Sequence, residues 1–145
     1  MQSNRIRQAS LADLVWIKSL LEKNSLPTIG VEEWFGNFVV AVDGNGLRVG
    51  VAGCEVYGHA ALLRSVAVEE DYRNAGYARA MVHAVLKNAK QKGGSLVYLF
   101  TDGAEDYFKQ LGFEVVRREE MDEGVKASRE FSECCTSCTA MRKIL

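Results

Sequence analysis

Three strand-like runs in succession, ahead of any long helix, constrain this chain more than any other feature. They are "NFVVAV" at 37–42, "LRVGVAGCEVY" at 47–57 and "ALLRSVAV" at 61–68. The "DGNG" between the first two is the strongest hairpin signal in the chain, because Asn and Gly accept the backbone of tight two-strand turns. The third run comes closely after "GH". The three predict an antiparallel meander.

The flanking segments extend the pattern. "NRIRQAS" reads as a short strand, and Ser10 with Asp13 makes a capping-box start to a helix with Leu14, Ile17, Leu20 and Leu21 on one face. That helix ends near Asn24, before Pro27, and "VEEWFG" reads as a brief helical turn. After the meander, a helix from Gly76 to about Gln91 carries Ala78, Val82, Val85 and Ala89 at helical spacing and stops at Gly93 and Gly94. "SLVYLF" is a buried strand, Asp102 with Glu105 caps the helix "GAEDYFKQL", closed by Gly112, and "FEVV" is a further strand. "DEGVKASREFSECC" reads as short and helical, and "TAMRKIL" as the last strand. The order β, α, several β, then β-α-β-α-β describes an α/β chain of α+β character. Its mixed central sheet has helices on both faces, unlike a doubly wound parallel sheet. A dinucleotide fingerprint would open the first βα unit, whereas the glycine turn here comes after three consecutive strands.

Composition narrows the function. A length of 145 residues with 48% hydrophobic content suits one domain, 1–145, with one sizeable core. Eighteen basic against nineteen acidic residues give a net charge of -1, which removes the electrostatic case for a nucleic-acid or membrane-surface partner. No stretch approaches the roughly 18 apolar residues of a membrane span, and "MQSNRIRQAS" lacks the apolar core of a signal peptide, so a cytoplasmic protein is expected. Of four cysteines, Cys54 lies in an apolar strand and Cys134, Cys135 and Cys138 crowd the tail, unlike a secreted disulfide framework.

Residues 73–78, "RNAGYA", stand where the third run gives way to the long helix. A helix N-terminus presents unpaired N–H groups and the positive end of the peptide dipole, so a turn of small residues there makes an anion site. An ordinary strand-to-helix turn has the same composition.

"LLRSVAVEEDYRNAGYARAMV" and, further on, "YLFTDGAEDYFKQLGF" resemble the core of the GNAT N-acetyltransferases, whose phosphate loop is matched by Arg73, Gly76 and Ala78. The order of elements also fits, along most of the chain. The resemblance implies a mostly antiparallel sheet of six to seven strands and acetyl-CoA as cosubstrate. It implies that the backbone of Val66, Ala67 and Val68 pairs with the pantetheine arm, unless these are plain core residues. It implies too that Asn74, Ala75, Gly76, Tyr77, Ala78 and Arg79 wrap the pyrophosphate, with charge from Arg73 and Arg79, and that Thr101 and Phe108 border the cosubstrate. Asn74 stands where many relatives have glycine, a mild departure because asparagine tolerates the left-handed backbone. The tail "SREFSECCTSCTAMRKIL", with "GCEVYGHAALLRSVAV" and "DYFKQLGF", is similar to the arsenic-resistance N-acetyltransferases, themselves like short amino-acid N-acetyltransferases such as N-acetylglutamate synthases. That implies a small amino-acid-like acceptor; the relation to arsenic is by family name only. Homodimers are common among such relatives.

The expected reaction is direct attack of an amine on the acetyl thioester, which needs a proton acceptor and a backbone donor for the oxyanion. Glu55, a carboxylate inside an apolar strand, is the first candidate base, against the alternative of a strand-end residue facing solvent. His59 is the second. Many relatives place a tyrosine four residues before the Gly-Phe pair to protonate the thiolate; here that position is Phe108, and Tyr107 is rotated from it by about 100°. Arg64 interrupts an apolar strand and suits a substrate carboxylate, or else pairs with a neighbouring glutamate or faces out from the sheet. Arg129 is a second carboxylate candidate. Cys135 and Cys138 have metal-ligand spacing, but one pair falls short of the four ligands zinc usually takes, so no metal is expected. Local packing or redox-sensitive thiols are the other readings of this tail, and thiolate binding of a metal or metalloid is permitted by the spacing alone. Two further functions stay open on the same scaffold: a CoA-binding sensor without chemistry, and a thiol-based metal-binding protein.

Overall fold

The computed structural model describes residues 5–128 and 138–145. In chain order the elements are β1 (Ile6–Gln8), α1 (Leu14–Lys23), β2 (Phe38–Val42), β3 (Arg48–Tyr57), β4 (Ala60–Val68), α2 (Tyr77–Gln91), β5 (Leu96–Thr101), α3 (Glu105–Gln110), β6 (Glu114–Val116), α4 (Glu123–Lys126) and β7 (Thr139–Ile144). The strands form one open sheet in the order β1-β2-β3-β4-β5-β7-β6, flanked by helices. Antiparallel pairing joins β1 to β2, β2 to β3, β5 to β7 and β7 to β6; β4 and β5 run parallel. The expected mixed, mostly antiparallel sheet of six to seven strands is observed, with seven. The chain groups into two compact units, residues 1–54 with 65–88, and residues 55–64 with 89–145.

In the first unit, the i, i+3, i+4 stripe of α1 buries Ile17, Leu20 and Leu21 against Val31, Phe38, Val40, Val51 and Ala67. Each fully buried aliphatic side chain contributes about 1.5–3 kcal/mol. Gly53 faces Phe38 across the β2–β3 register, and a Cβ there would lie 2.4 Å from the Phe38 ring, so only glycine fits. The expected Ser10–Asp13 pairing is present: Asp13 Oδ2 accepts from the Ser10 N–H at 2.7 Å and its hydroxyl at 3.1 Å. Arg7 grips the same buried carboxylate with both terminal nitrogens, at 2.8 and 2.9 Å. The "DGNG" turn closes on Asp43, whose Oδ1 accepts from the N–H groups of Asn45 (2.8 Å) and Leu47 (2.9 Å).

In the second unit, Tyr98 of β5 lies in a core with Ala60, Leu62, Met121, Val125 and Ala140. Asp122 caps α4 by accepting from the Gly124 N–H at 2.9 Å. The start of α3 corrects the expected Asp102 cap. Gly103, at φ 100°, turns the chain between Asp102 and the helix, whose cap is Ala104. The Ala104 N–H is taken instead by Thr101 Oγ1 at 3.2 Å, and Glu105 accepts from the Thr139 hydroxyl at 2.7 Å. Of the segment read as helical at 122–135, residues 123–126 form α4, and 129–135 lie outside the described residues.

Candidate active site

The residues predicted for the cosubstrate's phosphates fall in the first unit. β4 ends at Val68, and a 3-10 turn, Glu70–Tyr72, leads to Arg73. Asn74 takes φ 63° and Gly76 φ 89°, both left-handed. Such angles suit asparagine and glycine and cost other residues about 1–2 kcal/mol, which explains the residue types in "NAG". The first backbone bond of α2 runs from the Ala80 N–H to the Gly76 carbonyl at 3.1 Å. Among the described residues, the N–H groups of Asn74 to Arg79 therefore have no backbone acceptor. Asn74, Ala75, Gly76 and Arg79 are exposed, and Tyr77 and Ala78 half-buried. Unpaired N–H groups at the mouth of a 15-residue helix form an anion cradle.

Arg73, expected to add charge, is engaged within the protein. Its Nε donates to the Val68 carbonyl at 3.0 Å and its Nη2 to Asn24 Oδ1 at 2.8 Å. Upstream, Ala67 and Val68 are buried and Val66 half-buried. Ser65, just before them, has φ 62° in mid-strand. A non-glycine residue in that region breaks the strand's alternation and re-aims the residues after it.

The residues predicted for chemistry fall in the second unit. Glu55 and Arg64, singled out separately as base and carboxylate fork, are brought together: Arg64 Nη1 donates to Glu55 Oε2 at 2.7 Å, with both side chains at most 3% exposed. The Tyr57 hydroxyl donates to Glu55 Oε1. Sequence reasoning missed Tyr57, although the signal was there, since residues two apart on a strand share a face. Both oxygens of Glu55 are thus occupied.

His59 lies in the β3–β4 turn, 60% exposed, with Nε2 2.9 Å from Asp122 Oδ2. Thr101 is buried and occupied by the Ala104 N–H. Phe108 is buried against Phe113, ring centroids 5.8 Å apart, whereas Tyr107 is exposed. Arg129, Cys134 and Cys135 lie outside the described residues. The Cys138 carbonyl accepts from Arg118 at 3.3 Å. Among the described residues no group of three or more His, Cys, Asp or Glu is arranged to hold a metal, and no helix is long and apolar enough to cross a membrane.

A mixed sheet whose fourth strand feeds, through a glycine turn, a helix with bare N–H groups at its mouth defines a class, the α/β proteins with an anion-binding helix mouth. A family model described as the acetyltransferase (GNAT) domain matches residues 34–115, more than half of the chain. The chain belongs to this family, the GNAT acetyltransferases. Comparison with curated protein sequences finds no match.

Among solved structures, Neisseria gonorrhoeae N-acetylglutamate synthase complexed with coenzyme A and N-acetyl-glutamate has a TM-score of 0.84 at 18% identity, covering 97% of this chain and 34% of its own. This chain thus spans about a third of that synthase. A Mycobacterium tuberculosis protein in complex with CoA has a TM-score of 0.79 at 22% identity, covering 97% of this chain and 98% of its own. A GNAT-family acetyltransferase from Staphylococcus aureus has a TM-score of 0.78 at 15% identity, covering 97% and 98%. At these identities the likeness is one of fold.

Proposed function

We propose that residues 1–145 act as one catalytic domain that acetylates a small primary amine, an amino acid or glutamate-like compound, by direct attack on the thioester of acetyl-CoA. The observation that carries the reading is the cradle at Asn74–Arg79, with its left-handed Asn74 and Gly76. It suits the pyrophosphate of CoA, and the backbone of Val66–Val68 suits the pantetheine arm and the oxyanion. The amino-acid acceptor draws support from the fold shared with N-acetylglutamate synthase and from the resemblance of the tail, with "GCEVYGHAALLRSVAV" and "DYFKQLGF", to a subgroup that is itself like short amino-acid acetyltransferases.

In the reaction the amine nitrogen attacks the acetyl carbon, the C–N bond forms, the C–S bond breaks, and CoA leaves as thiolate. The nitrogen sheds its proton to Glu55 by way of the Tyr57 hydroxyl, which takes up that proton as it passes its own to Glu55 Oε1. Water protonates the thiolate, Phe108 having no hydroxyl to offer. The 2.7 Å pair supports Arg64 as the group that holds Glu55 in place, in preference to a fork for the substrate carboxylate. A thiol-release assay with acetyl-CoA over amino acids, polyamines, aryl amines and peptide N-termini tests the proposal. Turnover at least about tenfold higher in kcat/KM for an amino acid is expected. Equal or better turnover of another class overturns the acceptor assignment.

A further inference from the structure

We propose that Tyr72 is a positioning residue for the cosubstrate, acting by bracing the loop that carries the cradle. This rests on the reading of Asn74–Arg79 as the pyrophosphate site.

The loop holds two left-handed residues, Asn74 and Gly76, in an exposed turn, and of the two it is the non-glycine Asn74 whose conformation draws on support from its surroundings. Tyr72 touches the structure on both sides of that turn. Its hydroxyl donates to Asp43 Oδ2 at 2.9 Å. Its ring packs edge-on against Tyr77, the first residue of α2, with centroids 6.3 Å apart and planes at 72°. One side chain thus spans from the β2–β3 hairpin to the helix mouth, bracketing residues 73–76.

The acceptor is itself immobile. Asp43 spends its other oxygen on two N–H groups of the hairpin turn, so Oδ2 is fixed in direction. These bonds, the Leu47 N–H first, hold the Asp43 carboxyl below its ordinary range, and Asp43 in turn raises the Tyr72 phenol. At neutral pH the pair is a phenol donating to a carboxylate, the stronger kind of hydrogen bond. Two further ties flank it. Glu69 pairs with Lys23 at 2.9 Å before Tyr72, and Arg73 holds Asn24 and the Val68 carbonyl after it. Those ties fix where the segment starts; Tyr72 reaches the helix beyond the turn.

Tyr72→Phe keeps the ring contact with Tyr77 and removes the bond to Asp43. The expected result is a three- to tenfold rise, roughly, in the Kd for acetyl-CoA by calorimetry, with a matching rise in KM and a smaller effect on kcat at saturation. Asp43→Asn should weaken binding similarly, and the double variant should be no worse than the weaker single. A Tyr72→Phe Kd within about twofold of wild type overturns the proposal, as does a loss confined to kcat. Gly76→Glu separates this from the underlying reading: it sets a carboxylate in the cradle at a left-handed position. If Gly76→Glu binds acetyl-CoA as wild type does, the cradle is misplaced and the brace falls with it. If Gly76→Glu loses binding while Tyr72→Phe does not, the brace alone is overturned.

Discussion

At the scale of single residues, Glu55 and Arg64 were legible in the sequence for one reason: each is a charge inside an apolar strand. That they meet was only one of three readings of Arg64, because an ion pair between strands depends on side-chain direction as well as register, which the folded sheet fixes. The pairing makes the two inseparable in any test. Glu55→Gln removes the carboxylate that faces the buried Arg64 guanidinium, with an expected loss of about 3–5 kcal/mol of stability in denaturant titration. If Glu55 also takes the proton, kcat falls about 10²- to 10⁴-fold. Adding Arg64→Met removes the buried positive charge as well, so the double variant should recover most of the stability and none of the rate. Recovery of both would remove Glu55 from the chemistry. Phe108 and Tyr107 show the opposite case: one helical step decided which of two aromatic rings is buried, and periodicity alone foresaw it.

At the scale of elements, strands and helices track the apolar periodicity closely, and departures occur where a turn intervenes. Gly103 delays α3 past Asp102, an effect of backbone conformation invisible to a capping pattern. Where α1 begins, Asp13 accepts from Arg7 and Ser10 together, and the bond from Arg7 is the main cause that holds its carboxyl far below the usual range. A carboxyl depressed in the folded state stabilises the fold fully above its unfolded pKa of about 3.9. That stability is lost as pH falls toward the folded value, so the affected window is below about pH 4. Urea unfolding between neutral pH and pH 2 should therefore show Asp13→Asn less stable than wild type at neutrality, with the gap narrowing in acid. A gap that stays constant would mean the Arg7–Asp13 pair contributes nothing through its charge.

At the scale of the whole molecule, saturation with acetyl-CoA must stabilise whatever it binds. At 100 times its Kd the ligand adds about 2.7 kcal/mol, a rise in Tm on the order of 8 °C for a chain of this size. Acetyl-pantetheine, which lacks the pyrophosphate, should give a much smaller shift at equal concentration if the cradle supplies much of the affinity. Equal shifts would point to the pantetheine arm as the main determinant. Thermal unfolding with each ligand distinguishes the two. By itself the sequence determined the order of strands and helices and the glycine turn at a helix mouth, because these depend on local periodicity, residue size and backbone freedom. The resemblance of its motifs gave the acetyltransferase family. Only the tertiary structure decided that Arg64 holds Glu55, that Tyr57 joins them, that Arg73 ties down the loop and that Tyr72 reaches Asp43. Apart from Tyr57 and Glu55, which strand alternation already sets on one face, those contacts join residues that local periodicity does not pair, and their geometry exists only once the chain has folded.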